Sequence, residues 1–243
     1  MVKLTLIHGD AINVLKKIED ESIDLVVTDP PYGINYQSNQ RKIKFEKIIN
    51  DDNLEWVDEV ISELYRILKK NSCFYCFTRW DVYPFWKEKI EKNGFKIKNC
   101  LIWIKKNSTG GLGDLESSYK SNFEFIIFCM KGRKILWKGG FGRKNGYFIN
   151  HNVNPNSLIH PNEKPVSLIR EFIISSSDKH DTVLDPFLGS GTTMKACLEL
   201  KRNCIGIEID ERYIKITKKR LNWGSNLDPE VKFNFYYENN FRL

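Results

Sequence analysis

The sequence predicts an α/β fold built on a mostly parallel, doubly wound sheet. Three observations carry this. Short β-branched runs alternate with amphipathic helical stretches along most of the chain. Two of those runs end in an acidic residue followed by a turn, at Asp29 and at Asp185. The length of 243 residues suits one large domain, or one domain carrying an inserted arm.

Taken in order, Leu4–Ile7 alternates like a strand and ends at Gly9-Asp10, with a short amphipathic helix from Asn13 to Ile18 behind it. Ile23 to Thr28 is apolar, short and β-branched, as a buried strand requires. Residues 33–50 are polar and basic and read as a loop beside that strand's end. Asp51 to Asn53 offer an N-cap for a helix to Lys70, with Leu54, Val57, Ile61, Leu64 and Leu68 on one face. Cys73–Phe77 reads as a strand, and a helix near Asp81–Lys92 stops at Asn93-Gly94. Phe95–Ile104 and Asn122–Met130 read as two more strands, joined by a loop holding Gly110, Gly111 and Gly113. Between 131 and 160 the periodicity breaks down, so that segment reads as an irregular arm inserted into a single domain spanning 1–243. Pro165 opens a helix to about Ile174. A second α/β unit follows: strand Thr182–Asp185, a glycine turn, a helix to Lys201, strand Asn203–Ile207, and a helix from Asp210 to about Asn222. Val231, Phe233, Phe235 and Tyr237 alternate as an edge strand would.

Hydrophobic content of 41% with 28% charged residues is that of an ordinary globular protein. No apolar run reaches the roughly 20 residues of a membrane span, and the first residues lack a cleavage-site pattern, so a cytoplasmic protein with no membrane partner is expected. A net charge of +7 favours a polyanionic partner. Cys73 and Cys76 form a C-x-x-C, but on a strand they point to opposite faces, and no second pair stands at zinc spacing. No metal site is expected.

Two stretches carry chemistry. Asp29-Pro30-Pro31-Tyr32 closes a strand, because two prolines forbid both a ladder bond and a helical turn. The result is a stiff loop with a carboxylate, a free carbonyl and an aromatic face, where open α/β sheets bind ligands. By itself this reads equally well as a plain strand terminator. The second stretch runs from Asp185 through Gly189-Ser190-Gly191 to Glu208. Glycines allow close backbone approach, and an acidic residue about twenty positions on can hold ribose hydroxyls. This indicates a nucleoside cofactor. A dinucleotide fits less well, since Met194 stands where a third glycine belongs.

Together these stretches resemble the β-class amino-group DNA methyltransferases, which act on adenine N6 or cytosine N4. Asp29-Pro30-Pro31-Tyr32 resembles their motif IV, and Asp185-Pro186-Phe187-Leu188-Gly189-Ser190-Gly191-Thr192-Thr193 their motif I. His160-Pro161-Asn162-Glu163-Lys164-Pro165 resembles motif X, His8-Gly9-Asp10 motif III, and Glu208 with Asp210 motif II. Tyr119-Lys120-Ser121-Asn122-Phe123-Glu124-Phe125 resembles the strand region before the family's target-recognition segment. The catalytic motif precedes the cofactor motif, as in that class. The resemblance implies a Rossmann-like methyltransferase fold with circularly permuted motif order and a short target-recognition arm at 131–160. It implies S-adenosylmethionine as cofactor, with Glu208 on its ribose, Asp10 on its adenine and Lys164 towards its methionine end. Asp185, Pro186, Phe187, Gly189, Ser190, Gly191, Thr192 and Asp210 are expected to line the same pocket.

The chemistry explains these residue types. An exocyclic amine is a poor nucleophile, because its lone pair is delocalised into the ring. Two fixed acceptors on its N–H groups, the Asp29 carboxylate and the Pro30 carbonyl, would draw the nitrogen towards tetrahedral geometry, and Pro31 keeps the pair rigid. Tyr32 can stack on an extruded base, which is worth roughly 1–3 kcal/mol and offsets part of the cost of flipping. Lys42, Lys44, Arg133, Lys134, Arg143 and Lys144 are the expected contacts to double-stranded DNA. Asp29 favours adenine N6, since relatives acting on cytosine N4 more often have Ser there. Cytosine N4 is the alternative, and a non-catalytic nucleic-acid-binding module is the alternative of another class. A cognate restriction endonuclease and a monomer or homodimer complete the expectation.

Overall fold

The computed structural model describes residues 1–33, 54–106, 116–117, 119, 122–133, 138, 145–150, 163–225 and 228–242. The strands are β1 (Val2–His8), β2 (Ile23–Thr28), β3 (Leu68–Thr78), β4 (Lys96–Lys105), β5 (Phe123–Met130), β6 (Tyr147–Asn150), β7 (Thr182–Asp185), β8 (Asn203–Glu208) and β9 (Val231–Tyr237). The helices are α1 (Ala11–Leu15), α2 (Val57–Ile67), α3 (Tyr83–Lys92), α4 (Val166–Ser176), α5 (Thr192–Leu200) and α6 (Glu211–Arg220), with a 3-10 turn at Glu238–Asn240.

The strands form one sheet in the order β6-β4-β5-β3-β2-β7-β8-β1-β9. Every pairing is parallel except the two that β5 makes, with β3 and β4. Thus among the described strands β5 alone runs against the rest. Helices α4, α5 and α6 bury Phe172, Met194 and Ile214 on one face, while α1, α2 and α3 bury Leu15, Ile61 and Trp86 on the other. The sheet is doubly wound, as its alternating runs predict. Each fully buried large side chain of this kind contributes roughly 1.5–3 kcal/mol. Phe172 lies flat on Tyr75 of β3 at 4.6 Å, and the Tyr75 hydroxyl meets Ser176 Oγ at 2.8 Å, so α4 is both stacked and tethered.

The connection order does the work of assembly. β2 and β7 are adjacent in the middle of the sheet although more than 150 residues separate them in the chain. Asp24 of β2 accepts the Thr182 N–H at 2.9 Å, which holds the amino end of β7 against it. β8 and β1 follow on the far side of β7. The carboxyl ends of β2, β7, β8 and β1 therefore lie side by side, and each carries one of the motif carboxylates.

Several boundaries differ from the sequence expectation. α1 starts at Ala11, because the Asp10 carboxylate accepts the Ile12 N–H at 2.8 Å and caps it. α2 stops at Ile67, and Leu68, expected on its apolar face, is already extended and opens β3. The segment read as an irregular arm contains β6, which pairs in parallel with β4 from Ile102↔Tyr147 to Lys105↔Asn150. Four residues are too short to show a period. The alternating tail does form an edge strand, β9 beside β1. Cys73 and Cys76 belong to the cores on opposite faces of the sheet, both as free thiols. Among the described residues no cluster of metal-binding side chains occurs, and no helix is long and apolar enough to cross a membrane.

Candidate active site

The cleft at the carboxyl edge of the sheet is lined by residues from all the motifs, among them Asp10, Asp29, Pro30, Pro31, Lys164, Asp185, Glu208 and Asp210. Pro186, Phe187, Gly189, Ser190 and Thr192 also line it. Gly191 stands behind that wall as the residue before α5, with φ +85°. A Cβ there would fall 2.8 Å from the Thr217 side chain, and Thr217 Oγ1 itself donates to the Gly189 carbonyl at 3.2 Å. Glycine is required on both counts. Gly191→Ala is expected to destabilise the fold by about 1–3 kcal/mol, read as a lower urea midpoint with an unchanged slope. The turn is further seated by Gly206 of β8, where a Cβ would come within 2.5 Å of Leu188.

Glu208 closes β8 with 9% of its surface exposed. Its two oxygens accept the Gly189 N–H at 2.7 Å and the Asp210 N–H at 2.8 Å. Burial nevertheless raises its carboxyl to about 7, against the lowering effect of those two bonds. Asp185 accepts the Phe187 N–H at 3.2 Å and the Thr193 hydroxyl at 2.7 Å, and burial raises it to about 6. Asp10 caps α1, and its own N–H donates to Glu238 Oε2 at 2.8 Å, so the C-terminal 3-10 turn pins the Gly9-Asp10 bend. Asp210 caps α6 through the Arg212 N–H and also pairs with the Arg212 side chain.

The Asp29 loop is rigid for a reason beyond its prolines. The Tyr32 hydroxyl donates to Asp29 Oδ1, and the Lys164 ammonium donates to Asp29 Oδ2 at 2.6 Å. Lys164 also meets Glu124 Oε2 at 3.0 Å. The expectation for Lys164 was the methionine end of the cofactor. Its chain does line the cleft, but its charge is directed at the catalytic-loop carboxylate. Tyr32, expected as a stacking platform, is 6% exposed, with its hydroxyl committed to Asp29.

The structure gathers ten of the eleven cofactor-pocket residues expected from sequence, together with Asp29, Pro30 and Pro31, into this cleft. It does not bring Arg133 there. Arg133 follows the carboxyl end of β5, which pairs Met130 with Cys73 at the opposite end of the sheet. Lys42, Lys44, Lys134, Arg143 and Lys144 lie outside the described residues. Sequence reasoning missed Trp56, whose ring sits 5.2 Å from Phe187 and forms part of the apolar wall. It comes from the N-cap of α2, outside any motif. Glu163 also lines the cleft and pairs with Arg220 of α6, which in turn donates to Thr192 Oγ1 at 2.8 Å.

Charge decides what fits. Among the described residues six carboxylates line the cleft (Asp10, Asp29, Glu163, Asp185, Glu208, Asp210) against one ammonium, Lys164, in a protein whose net charge is +7. A basic protein with an acidic cleft is suited to a cationic ligand. With buried acceptors at strand ends and an aromatic wall, the residues fit the sulfonium, ribose and adenine of S-adenosylmethionine.

Comparison with known proteins agrees. The family model described as DNA methylase, for N6 and N4 methyltransferases, matches residues 23–219. The DNA adenine methyltransferase YhdJ of Escherichia coli is 32% identical over 261 residues, covering 93% of this chain and 85% of its own. The type II methyltransferase M.HpaI of Haemophilus parainfluenzae is 31% identical, covering 93% and 78%. The crystal structure of M1.HpyAVI with S-adenosylmethionine superposes with a TM-score of 0.71 at 27% identity, covering 90% of this chain and 99% of that one. The cytosine-N4-specific PvuII DNA methyltransferase shares the fold, with a TM-score of 0.70 at 18% identity and 98% of each chain covered. The chain belongs to the DNA methylase family, the amino-group methyltransferases of the N6 and N4 type.

Proposed function

We propose that this enzyme methylates N6 of adenine in double-stranded DNA, on a base turned out of the helix. The observation that carries the reading is Asp29, a carboxylate at the end of β2 in the wall of the acidic cleft. The adenine-specific relative at 32% identity supports it. S-adenosylmethionine supplies an electrophilic methyl group on a sulfonium. Asp29 and the Pro30 carbonyl accept the two amino hydrogens and orient the nitrogen's lone pair towards that methyl. Methylation of the amine would release one proton from the nitrogen, and the Asp29 carboxylate would be the residue placed to accept it. Burial raises the Asp29 carboxyl above its ordinary value, partly opposed by Lys164 and reinforced by Glu124, which makes it a better proton acceptor than a solvated aspartate.

Pocket residues divide the remaining work. Glu208 and Asp10 take the nucleoside part of the cofactor, while Asp185, Asp210 and the residues from Pro186 to Thr192 shape the cleft around it. Stacking of Tyr32 on the extruded base would require its ring to leave its buried position and its hydroxyl to leave Asp29. The type II methyltransferases among the relatives are the support for a restriction–modification setting with a cognate endonuclease. Cytosine N4 is the second reading, favoured by the shared fold of the PvuII enzyme. Incubation with methyl-labelled S-adenosylmethionine and mixed-sequence duplex DNA, followed by nucleoside mass spectrometry, separates the two. N6-methyladenine is expected. N4-methylcytosine alone would overturn the adenine assignment and leave the mechanism standing.

A further inference from the structure

Asp29 is one end of a row of alternating charges that no motif describes. Lys105 Nζ meets Glu124 Oε1 at 2.5 Å, Glu124 Oε2 meets Lys164 Nζ at 3.0 Å, and Lys164 Nζ meets Asp29 Oδ2 at 2.6 Å. The Tyr32 hydroxyl completes the row on Asp29 Oδ1. The side chains of Lys164, Glu124, Asp29 and Lys105 are 6%, 14%, 19% and 21% exposed, so Lys164 is buried and the others are partly buried. Lys164 also lies 5.1 Å from the centre of the Phe77 ring, which gives its charge a third, fixed neighbour.

Topology explains how Glu124 arrives there. β5 is the one strand that runs against the sheet, so its amino end stands at the carboxyl edge of its neighbours. Thr78, the last residue of β3, pairs with Phe125, and Glu124 lies one residue further out. Lys105 comes from the carboxyl end of β4 and is held beside it by its N–H to the Asn122 carbonyl at 2.7 Å. A parallel strand in the place of β5 would have put its last residue at this edge instead.

We propose that Glu124 is a positioning residue: it shares Lys164 with Asp29, and so sets how readily Asp29 accepts the amino group of the target base. This rests on the reading of Asp29 as the acceptor for that amine. Both Asp29 oxygens already hold a donor, so an incoming N–H must share an oxygen with Lys164 or Tyr32 and weakens the bond already there. A buried ammonium drawn off its only partner is strongly unfavourable. Lys164 has a second carboxylate 0.4 Å further away than the first, by the two distances above, and can relax towards it without being orphaned. Lys105 stops Glu124 from capturing Lys164 outright. The electrostatics agree in direction: burial pushes both carboxyls up, but Lys164 and Lys105 outweigh it at Glu124 and hold that carboxyl at about 2, whereas Asp29 stays raised.

Among the described residues the groups facing Asp29 are Lys164 ahead of α4, Glu124 on β5, Cys76 on β3, Asp185 on β7 and Tyr32 on its own loop. Burial keeps Cys76 and Tyr32 neutral. Asp185 touches the cofactor turn, so its titration is read in cofactor affinity and drops out at saturation. The test is the pH profile of the single-turnover rate at saturating S-adenosylmethionine and DNA for the wild type, Glu124→Gln and Lys105→Gln. Glu124→Gln removes a negative charge near Asp29, so the acidic limb is expected to move down by about one pH unit. Lys105→Gln leaves Glu124 less compensated, and the limb is expected to move up. Two profiles that coincide with the wild type, or that shift in the same direction, overturn the proposal. If Glu124→Gln does not fold, the upward shift in Lys105→Gln decides alone. Carboxyl carbon-13 NMR titration of Asp29 in the cofactor-free protein, assigned with Asp29→Asn, reads the same shifts without catalysis. Absence of methyl transfer by the wild type therefore sinks the proposed function, while an Asp29 titration that ignores both substitutions sinks this inference.

Discussion

Asp29→Ala is expected to lower the methyl-transfer rate by about 10³-fold at saturating cofactor and DNA. The substitution removes an acceptor that is effective only because it is fixed, and the structure shows what fixes it: Tyr32 on one oxygen and Lys164 on the other. The variant should remain folded, since Lys164 keeps Glu124 as a partner and is not left as a lone buried charge. Cofactor affinity is a finer question. A strict division between a catalytic loop and a cofactor loop predicts no change. The structure puts Asp29 and Asp185 at adjacent strand ends in one cleft, and Asp29 is one of its six carboxylates. Loss of that charge is expected to weaken a cationic cofactor by a few-fold, far less than it slows the reaction. Single-turnover kinetics and calorimetry on the same preparation give both numbers. A variant that still transfers methyl groups at a tenth of the wild-type rate would remove Asp29 from the mechanism.

What could be read from the chain follows from what is local in it. A β-branched run stopped by Pro30-Pro31, or a turn with two glycines before a helix, states its structure within ten residues. The acidic residues at strand ends were therefore legible, and the parallel sheet explains why they converge. Contacts that depend on which strands become neighbours were not. Glu124 stands in the apolar stretch Phe123-Glu124-Phe125, and an acidic residue inside an apolar strand is a signal. Its partner could not be named, because that required knowing that β5 runs antiparallel between β3 and β4. The resemblance of His160–Pro165 to motif X places Lys164 towards the methionine end of the cofactor. In space its ammonium is closer to the work of Asp29. Trp56 and Glu238 carry no local pattern at all, and only the tertiary fold brings Trp56 to the cleft and Glu238 to the Asp10 N–H. Arg133, expected on DNA rather than in the cleft, follows the end of β5 that lies away from the carboxyl edge of the sheet.

Glu208→Ala should act on the cofactor first. A carboxylate that receives ribose hydroxyls makes charge-assisted hydrogen bonds worth roughly 1.5–3 kcal/mol, so the dissociation constant for S-adenosylmethionine is expected to rise by about 10- to 100-fold. The pH dependence gives the sharper test. Burial raises the Glu208 carboxyl to about 7, so near neutral pH the cofactor-free protein carries it partly protonated. The sign of its effect on folding follows: with a folded-state value above the ordinary 4.5, its favourable contribution is complete at low pH and is lost as pH rises through 7. Binding has the opposite preference, because hydroxyl donors and a cationic ligand both favour the ionised form. Affinity in the wild type should therefore climb between pH 6 and pH 8, with proton release on binding below about pH 7. Asp185, raised to about 6, adds to the lower part of that window. In Glu208→Ala the climb above pH 6.5 should vanish, and what remains below it belongs to Asp185. Calorimetric titration in two buffers of different ionisation heat measures affinity and proton release together. Wild-type affinity that is level from pH 6 to 8, or an alanine variant that binds as tightly as the wild type, would mean that Glu208 holds only the Gly189 and Asp210 amides and never reaches the ligand.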